Sequence, residues 1–348
     1  VTFVRSIGYA MGGASSLDEI DGENHQVESE QNWGLISRVI ASMNQIYLLI
    51  AGIFIILASM LGSISILTSI NRLDVPNIGW VAWILTIMSL GIIVYGNKYS
   101  ITLQGVNQIA LLRRWETLFT LLSILTCLAF LLLGGGLIAL VIGTQFWKVV
   151  NVIINRILVN RHTKPAKTFE ISLFQFDKEI IHSIWPRAWK SGIGQFASYG
   201  LVQISGLIYA QVGNAVQVAS YLLGLQFMNA IVGIAKAPFY SRIPLLSQLF
   251  SKGKRTQLLQ IARRGMIFSH WLFVIGFAAT GFLAPVFLDL VGSNAKFPDP
   301  LLWNLIGIGF FAERFGAIHL QLYSLTNIII WHISNGVSGL IYLVVSLH

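Results

Sequence analysis

The sequence predicts an all-α fold, a polytopic bundle of transmembrane helices. About nine apolar stretches, each long enough to cross a bilayer as a helix, follow one another between residues 45 and 347. Composition agrees, because 55% of the residues are hydrophobic, 11% are charged and the mean hydropathy is +0.71. Soluble domains carry about 25% charged residues. The Lys and Arg residues also concentrate in every second connecting loop, which is typical of a membrane protein with a fixed orientation.

Each stretch is a helix and not a barrel strand, because barrel strands need only about 9 to 11 residues to cross the bilayer. Only helices and closed barrels satisfy their backbone hydrogen bonds in hydrocarbon. We place the spans at residues 45–68, 79–98, 117–133, 137–158, 187–210, 217–237, 266–290, 301–323 and 326–347.

The basic residues fix the orientation and exclude several functions. Most of the 23 Lys and Arg residues fall in three loops that we assign to the cytoplasmic side. The net charge of +9 therefore faces anionic membrane lipids and does not indicate nucleic acid as a partner.

Cys127 is the only cysteine and lies within a span. We find no signature of an enzyme, a metal site or a nucleotide site, and predict no cofactor.

A weak internal repeat predicts two lobes. Phe3 and Arg5 lead through Gly12 to the first span much as Phe239 and Arg242 lead through Gly253 to a later one. Internal repeats are common in secondary transporters, whose substrate path lies at the repeat interface. We predict an N-terminal lobe at 1–158, a cytoplasmic linker with an amphipathic helix at 159–186, and a C-terminal lobe at 187–348.

The fourth span carries a polar stripe. Thr144, Lys148, Asn151 and Asn155 recur at i, i+4, i+7 and i+11, which puts them on one helix face. A charge at mid-membrane costs at least about 2.5 kcal/mol on insertion scales, so Lys148 indicates a polar cavity. The alternative is that its flexible side chain reaches the aqueous boundary.

Shorter polar stripes recur on other spans. We expect them to line one wet cleft, although hydrogen bonding between helices explains any single amide equally well. The candidates are Asn97, Gln104 and Gln108, then Gln195 and Ser198, then Gln226 and Asn229.

Charged residues provide the remaining candidates. Glu313 and Arg314 lie within a span, diverge by about 100° around the helix and are candidates for ion coupling or for a structural role. Cations near span edges suit a pyrophosphate group, because Arg binds phosphate oxygens bidentately and Lys adds a point charge. Membrane topology alone also explains such charges. The predicted cationic path consists of Arg5, Lys148, Arg187, Lys190, Lys236 and Arg242.

Five short segments carry a resemblance to a known family. They are Phe3-Val4-Arg5 with Tyr9 and Gly12, then Leu103–Asn107, Gly135–Val141, Trp185–Gly192, and Pro238–Leu249 followed by Gly253 and Arg264-Gly265. They resemble the polysaccharide-export branch of the MOP (multidrug, oligosaccharidyl-lipid, polysaccharide) flippases, the Wzx-type proteins of O-antigen and capsule synthesis. The resemblance implies two six-helix lobes, alternating access and a cationic central cavity. It also implies that the nine spans are the third to eleventh of at least twelve, so we expect the natural chain to continue at both ends.

The resemblance implies a flippase that moves undecaprenyl-pyrophosphate-linked sugar units across the bacterial inner membrane. Its expected partners are the lipid-linked oligosaccharide, membrane lipids and other polysaccharide assembly proteins. Two alternatives stay open, a multidrug or small-solute antiporter of the same superfamily and a membrane-embedded glycan polymerase or transferase. The antiporter is expected to place acidic residues in its cavity, for which Glu313 is the candidate.

Overall fold

The computed structural model describes most of the chain. The described residues are 2–17, 30–71, 75–163, 177–186, 188–194, 215–290, 292, 296–326, 328, 330, 333, 335–339 and 341. These residues form helices and connecting turns, and no strand occurs among them. The chain divides into two compact units, of which unit 1 comprises Phe3–Leu17 and Glu28–His182, and the main part of unit 2 is Ser183–His348.

Unit 1 contains six helices among its described residues up to 163. They are α1 (Thr2–Met11), α2 (Trp33–Leu57), α3 (Ser63–Ile70), α4 (Pro76–Gly105), α5 (Ile109–Leu132) and α6 (Leu137–His162). A π-helical turn at Ala58–Gly62 joins α2 to α3 without a break. Beside this turn, the indole nitrogen of Trp83 donates a hydrogen bond of 3.0 Å to the hydroxyl of Ser63.

Local sequence explains where these helices begin and end. Asn32 caps α2, and its side-chain oxygen accepts a hydrogen bond of 2.9 Å from the Leu35 amide. Pro76 opens α4 at the first turn, where a missing N–H group costs nothing. Gly134, with a φ of 76°, makes the tight turn from α5 to α6.

Unit 2 contains five further helices among the described residues. They are α7 (Ala215–Ala235), α8 (Ala237–Tyr240), α9 (Ile243–Ser251), α10 (Arg255–Leu290) and α11 (Pro300–Tyr323), and α11 ends in a 3-10 turn at Ser324–Thr326. Residues 178–186, which begin in unit 1 and end in unit 2, and residues 188–194 are also helical. Asp299 caps α11, because its carboxylate accepts hydrogen bonds of 3.0 Å from the Leu301 and Leu302 amides.

The prediction of an all-α bundle with membrane-length apolar helices is confirmed, whereas the count of nine spans is not. Seven helices of the described residues are long and apolar enough to cross a membrane. They are Trp33–Gly62, Pro76–Gly105, Ile109–Leu132, Leu137–His162, Val216–Ser251, Arg255–Leu290 and Pro300–Thr326. The two predicted spans without a counterpart, 187–210 and 326–347, lie largely outside the described residues.

The helices of unit 1 approach closely where glycine removes a side chain. Helix α4 packs against both α2 and α6. At Gly96 a side chain would collide with Val152 of α6, and at Gly105 it would collide with Ile7 of α1. Elsewhere α4 exposes large apolar side chains such as Ile84 and Met88, as expected for contact with hydrocarbon.

Unit 2 is built around two apolar clusters that lie at different levels of the same helices. The first cluster contains Leu225, Met228, Ile231, Ala235, Phe273, Trp303 and Ile306. The second contains Phe239, Leu246, Leu249, Leu258, Ala262, Ile318 and Leu325. Helix α10 contributes to both clusters, and so does α11.

The segments of the predicted repeat share one local feature, a helix that ends at a left-handed glycine. Gly13 has a φ of 91° after α1, and Gly253 has a φ of 66° after α9. At both ends the backbone amides close the same pattern, for example Ala14 to the Tyr9 carbonyl at 3.1 Å and Lys254 to the Leu249 carbonyl at 3.0 Å. The cap geometry therefore matches Gly253 with Gly13, one residue beyond the Gly12 of the predicted alignment.

Candidate functional site

Three charged side chains are buried among the described residues, and all three are cations. Arg5 is 2% exposed, Lys98 is 6% exposed and Arg314 is 5% exposed. No carboxylate of the described residues is buried. Burial of a charge without an opposite charge is costly, so polar or aromatic groups must hold Lys98 and Arg314, which pair with no carboxylate of the described residues.

Lys98 of unit 1 lies in a cage of neutral groups between α4 and α2. Its ammonium nitrogen donates a hydrogen bond to the side-chain oxygen of Asn44, which also accepts a hydrogen bond of 2.7 Å from the Tyr95 hydroxyl. The ammonium lies 3.4 Å from the centroid of the Tyr95 ring and 4.9 Å from that of Tyr99. Tyr95 and Lys98 share a helix face because they are three residues apart. The cage therefore stabilises a cation without neutralising its charge.

A second polar contact joins α4 to α6 near this cage. Asn155 is 1% exposed and donates a hydrogen bond of 3.2 Å from its side chain to the Ser100 hydroxyl. The side-chain oxygens of Asn155 and of Asn151 are buried and have no hydrogen-bond partner. These two amides lie one turn apart on α6, so they add buried acceptors that can bind a donor such as a sugar hydroxyl.

Arg5 is the second buried cation of unit 1. It lies on α1, where the Phe3 ring approaches the Tyr47 ring of α2 with centroids 6.3 Å apart. Within α1, Ile7 packs against Gly105 of α4. The short α1, which carries Arg5, therefore packs against the same helices that form the Lys98 cage.

Arg314 of α11 is the buried cation of unit 2. One terminal nitrogen of its guanidinium donates a hydrogen bond of 3.3 Å to the Tyr240 hydroxyl, and its central carbon lies 5.5 Å from the centroid of that ring. Its Nε is buried and has no hydrogen-bond partner. Glu313, the neighbour in sequence, is exposed, so the two side chains point in different directions.

The structure assigns different environments to the residues predicted from sequence. Buried are Arg5, Asn155 and Arg314; half-buried are Lys190, Lys236, Gln104, Gln108, Thr144 and Asn151; exposed are Lys148, Arg242, Asn97, Gln226, Asn229 and Glu313. Arg187, Gln195 and Ser198 lie outside the described residues. The stripe on α6 is therefore graded, since Lys148 is exposed and Asn155 is buried at the contact with α4. The hydroxyl of Thr144 turns back to the Leu140 and Val141 carbonyls, each at 3.0 Å.

Lys98 and Asn44 are site residues that the sequence analysis did not select. Lys98 was the last residue of the predicted second span, so we grouped it with the cations of the following loop. In the structure α4 continues to Gly105, which places Lys98 inside the helix. The aromatic neighbours Tyr95 and Tyr99 are the signal in the sequence, because a helix places both beside Lys98.

Exposed charges of unit 1 form ion pairs at its edge. Arg38 of α2 contacts Asp177 at 2.6 Å and Glu179 at 2.5 Å. Asp177 also accepts a hydrogen bond of 3.1 Å from the Ile180 amide and so caps the helical segment 178–186. The hydrogen bond from the Arg38 guanidinium holds the pKa of the Asp177 carboxyl below its usual range. The predicted linker is thus tied to α2 where the described part of that linker begins.

Fold and site together define a class, a multi-pass helical membrane protein whose described buried charges are all positive. Comparison of the chain with protein-family models, with curated proteins and with solved structures finds no match. Chemically, buried cations without buried carboxylates attract anions, and Arg and Lys are the side chains that bind phosphate oxygens most strongly.

Proposed function

We propose that this protein is a flippase that moves a lipid-linked oligosaccharide, an undecaprenyl-pyrophosphate-linked sugar unit, across the bacterial inner membrane by alternating access. One observation carries the proposal: the charges buried among the described residues, those of Arg5, Lys98 and Arg314, are all positive. A pyrophosphate headgroup that leaves water needs several convergent cations. The resemblance to Wzx-type exporters supports the same cargo.

In this proposal the cations and the amides have separate tasks. The predicted path of Arg5, Lys148, Arg187, Lys190, Lys236 and Arg242, with Lys98 added from the structure, attracts the diphosphate. Amides such as Asn151 and Asn155, whose oxygens lack partners, replace water around sugar hydroxyls. No bond is made or broken in the cargo, so the chain works as a transporter and not as an enzyme.

The charge pattern favours this cargo over the cation antiporter. An exporter of cationic compounds needs acidic side chains along its path. The carboxylates of residues 183–348 are Asp289, Asp299 and Glu313, and all three are exposed. Those of unit 1 that the structure describes are exposed or half-buried, and Glu116, Asp177 and Glu179 are engaged in ion pairs.

The direct test is translocation by the purified chain in lipid vesicles. We would load the vesicles with a fluorescent undecaprenyl-pyrophosphate oligosaccharide and measure how much label becomes accessible to an added quencher. We expect Lys98→Gln to slow translocation by about tenfold or more, because one charge-assisted hydrogen bond contributes about 1.5 to 3 kcal/mol. Arg114→Gln, which removes an exposed cation of α5, is the matched control and is expected to leave the rate unchanged. Equal rates for wild type and empty vesicles would contradict the proposed function, and equal rates for both variants would contradict the role of Lys98.

A further inference from the structure

Arg314 lies in a polar layer between the two apolar clusters of unit 2. On α11 it falls between Ile306 of the first cluster and Ile318 of the second. Tyr240, which accepts its hydrogen bond, directly follows Phe239 of the second cluster. The guanidinium is therefore enclosed by apolar side chains above and below, where an uncompensated charge is most costly.

Ser269 of α10 belongs to the same layer. It is fully buried, at 0% exposure, and its hydroxyl has no hydrogen-bond partner. The next residue, His270, packs its ring 5.6 Å from Phe311 and 5.4 Å from Phe315, which precede and follow Arg314 on α11. One turn earlier on α10, Gly265 lies against Phe239. Ser269 thus lies on α10 between Gly265, which contacts Phe239, and His270, which contacts the neighbours of Arg314 on α11.

The described residues of unit 2 provide no carboxylate partner for Arg314. Asp289, Asp299 and Glu313 are the acidic residues of 183–348. Asp299 caps α11 at its far end, and Glu313 is exposed on another face of the same helix. An Arg side chain keeps its charge at every physiological pH. The positive charge of the layer is therefore permanent, and two buried polar groups, the Arg314 Nε and the Ser269 hydroxyl, lack partners.

We propose that this layer is a binding site for a phosphate-type oxyanion, held by the Arg314 guanidinium and the Ser269 hydroxyl. Two phosphate oxygens accept parallel N–H bonds from Arg, and the unused Nε supplies one of these bonds. A third oxygen accepts from the Ser269 hydroxyl. Tyr240, whose hydroxyl accepts a hydrogen bond from Arg314, is half-buried. The anion is either a free phosphate or the diphosphate of a lipid, and only the second source rests on the proposed function.

The test measures binding and not translocation, so that its outcome is independent of the flippase assay. The full chain, purified in detergent or in lipid nanodiscs without phosphate, would be heated in the presence of increasing inorganic phosphate or of an isoprenoid diphosphate. We expect a saturable rise in Tm for wild type, since a ligand that binds only the folded state stabilises it. Arg314→Gln is expected to weaken the apparent affinity about tenfold or more. Arg263→Gln, an exposed cation of α10, is the matched control and should bind as wild type does.

A second variant keeps the test valid if Arg314→Gln does not fold. Replacement of a buried unpaired charge by an apolar side chain is often neutral or stabilising. Arg314→Met should therefore have a Tm at least equal to that of wild type without ligand and should show no rise with either anion. A rise with inorganic phosphate assigns the site to a free anion, and a rise only with the isoprenoid diphosphate assigns it to a lipid. No rise in wild type, or the same rise in Arg314→Met, would overturn the proposal.

Discussion

Unit 1 and unit 2 each bury a cation within a candidate span, but they hold it differently. Lys98 is surrounded by the Asn44 oxygen and two tyrosine rings, whereas Arg314 has a single tyrosine and leaves its Nε without a partner. Unit 1 thus supplies neutral acceptors for its buried ammonium, whereas unit 2 leaves the Arg314 Nε without an acceptor. Two buried cations of the same sign therefore differ in how far the surrounding side chains satisfy their donors.

The largest expected effect concerns the acceptor in the Lys98 cage. Asn44→Leu keeps a side chain of similar size but removes the oxygen to which Lys98 and Tyr95 donate. We expect a loss of about 2 to 3 kcal/mol in the free energy of unfolding, because the ammonium stays buried without its acceptor. Thermal or chemical unfolding in detergent measures this loss. Lys98→Met combined with Asn44→Leu should recover most of the stability, and an unchanged loss in the double variant would show that the cage does not hold the charge.

The next largest effect on stability is expected at a glycine that allows close helix contact, and its size differs between the two units. Gly96→Ala places a methyl group against the Val152 side chain, so we expect a loss of about 1 to 2 kcal/mol from overpacking. In unit 2 an added Cβ at Gly265 lies 3.4 Å from the Phe239 backbone, which is ordinary contact. Gly265→Ala should therefore change stability by less than about 0.5 kcal/mol, because helix propensity offsets the small strain. Equal unfolding midpoints for the two variants would contradict this difference.

A smaller effect is expected at Tyr240. Tyr240→Phe keeps the ring beside Arg314 and removes the hydroxyl that accepts its hydrogen bond. The expected loss of stability is about 1 kcal/mol, less than at Asn44, because the ring still contacts the guanidinium. Unfolding in phosphate-free buffer measures it. A loss as large as that of Asn44→Leu would mean that unit 2 holds its cation as tightly as unit 1 does.

The smallest effect depends on pH and concerns the edge of unit 1. The folded state holds the pKa of Asp177 below its usual value of about 3.9, so the pair with Arg38 contributes stability above that pH. The contribution is lost as the pH falls through the lower pKa of the folded state. We expect at most about 1 kcal/mol, since the Arg38 side chain is 34% exposed and screened by water.

Arg38→Gln should remove this pH dependence below about pH 4. Arg113→Gln, which breaks the exposed pair with Glu116, serves as the control and should keep it. Identical acid unfolding curves for wild type and Arg38→Gln would show that the Asp177 pair contributes nothing.

The sequence alone was sufficient to predict the helical bundle, because long apolar runs are the direct sequence signal of helices that can cross hydrocarbon. It did not locate helix ends, because residues 99–105 are less apolar than the span before them and continue α4 through packing against α1 and α6. That error concealed Lys98. The sequence also did not predict that burial differs along the polar stripe of α6. Periodicity places Lys148 and Asn155 on one helix face but does not tell which neighbouring helix covers each part of that face.

The π-helical turn at Ala58–Gly62 determines the rotation of α3 relative to α2 about the axis of the continuous helix that they form. One additional residue in a turn rotates everything that follows by about 100° about the helix axis. Without that extra residue, the Ser63 hydroxyl would point away from the indole of Trp83, and a different face of α3 would contact α4. The turn thus changes the direction in which side chains point along one uninterrupted helix. As a result, α2 and α3 expose different faces at the two membrane boundaries.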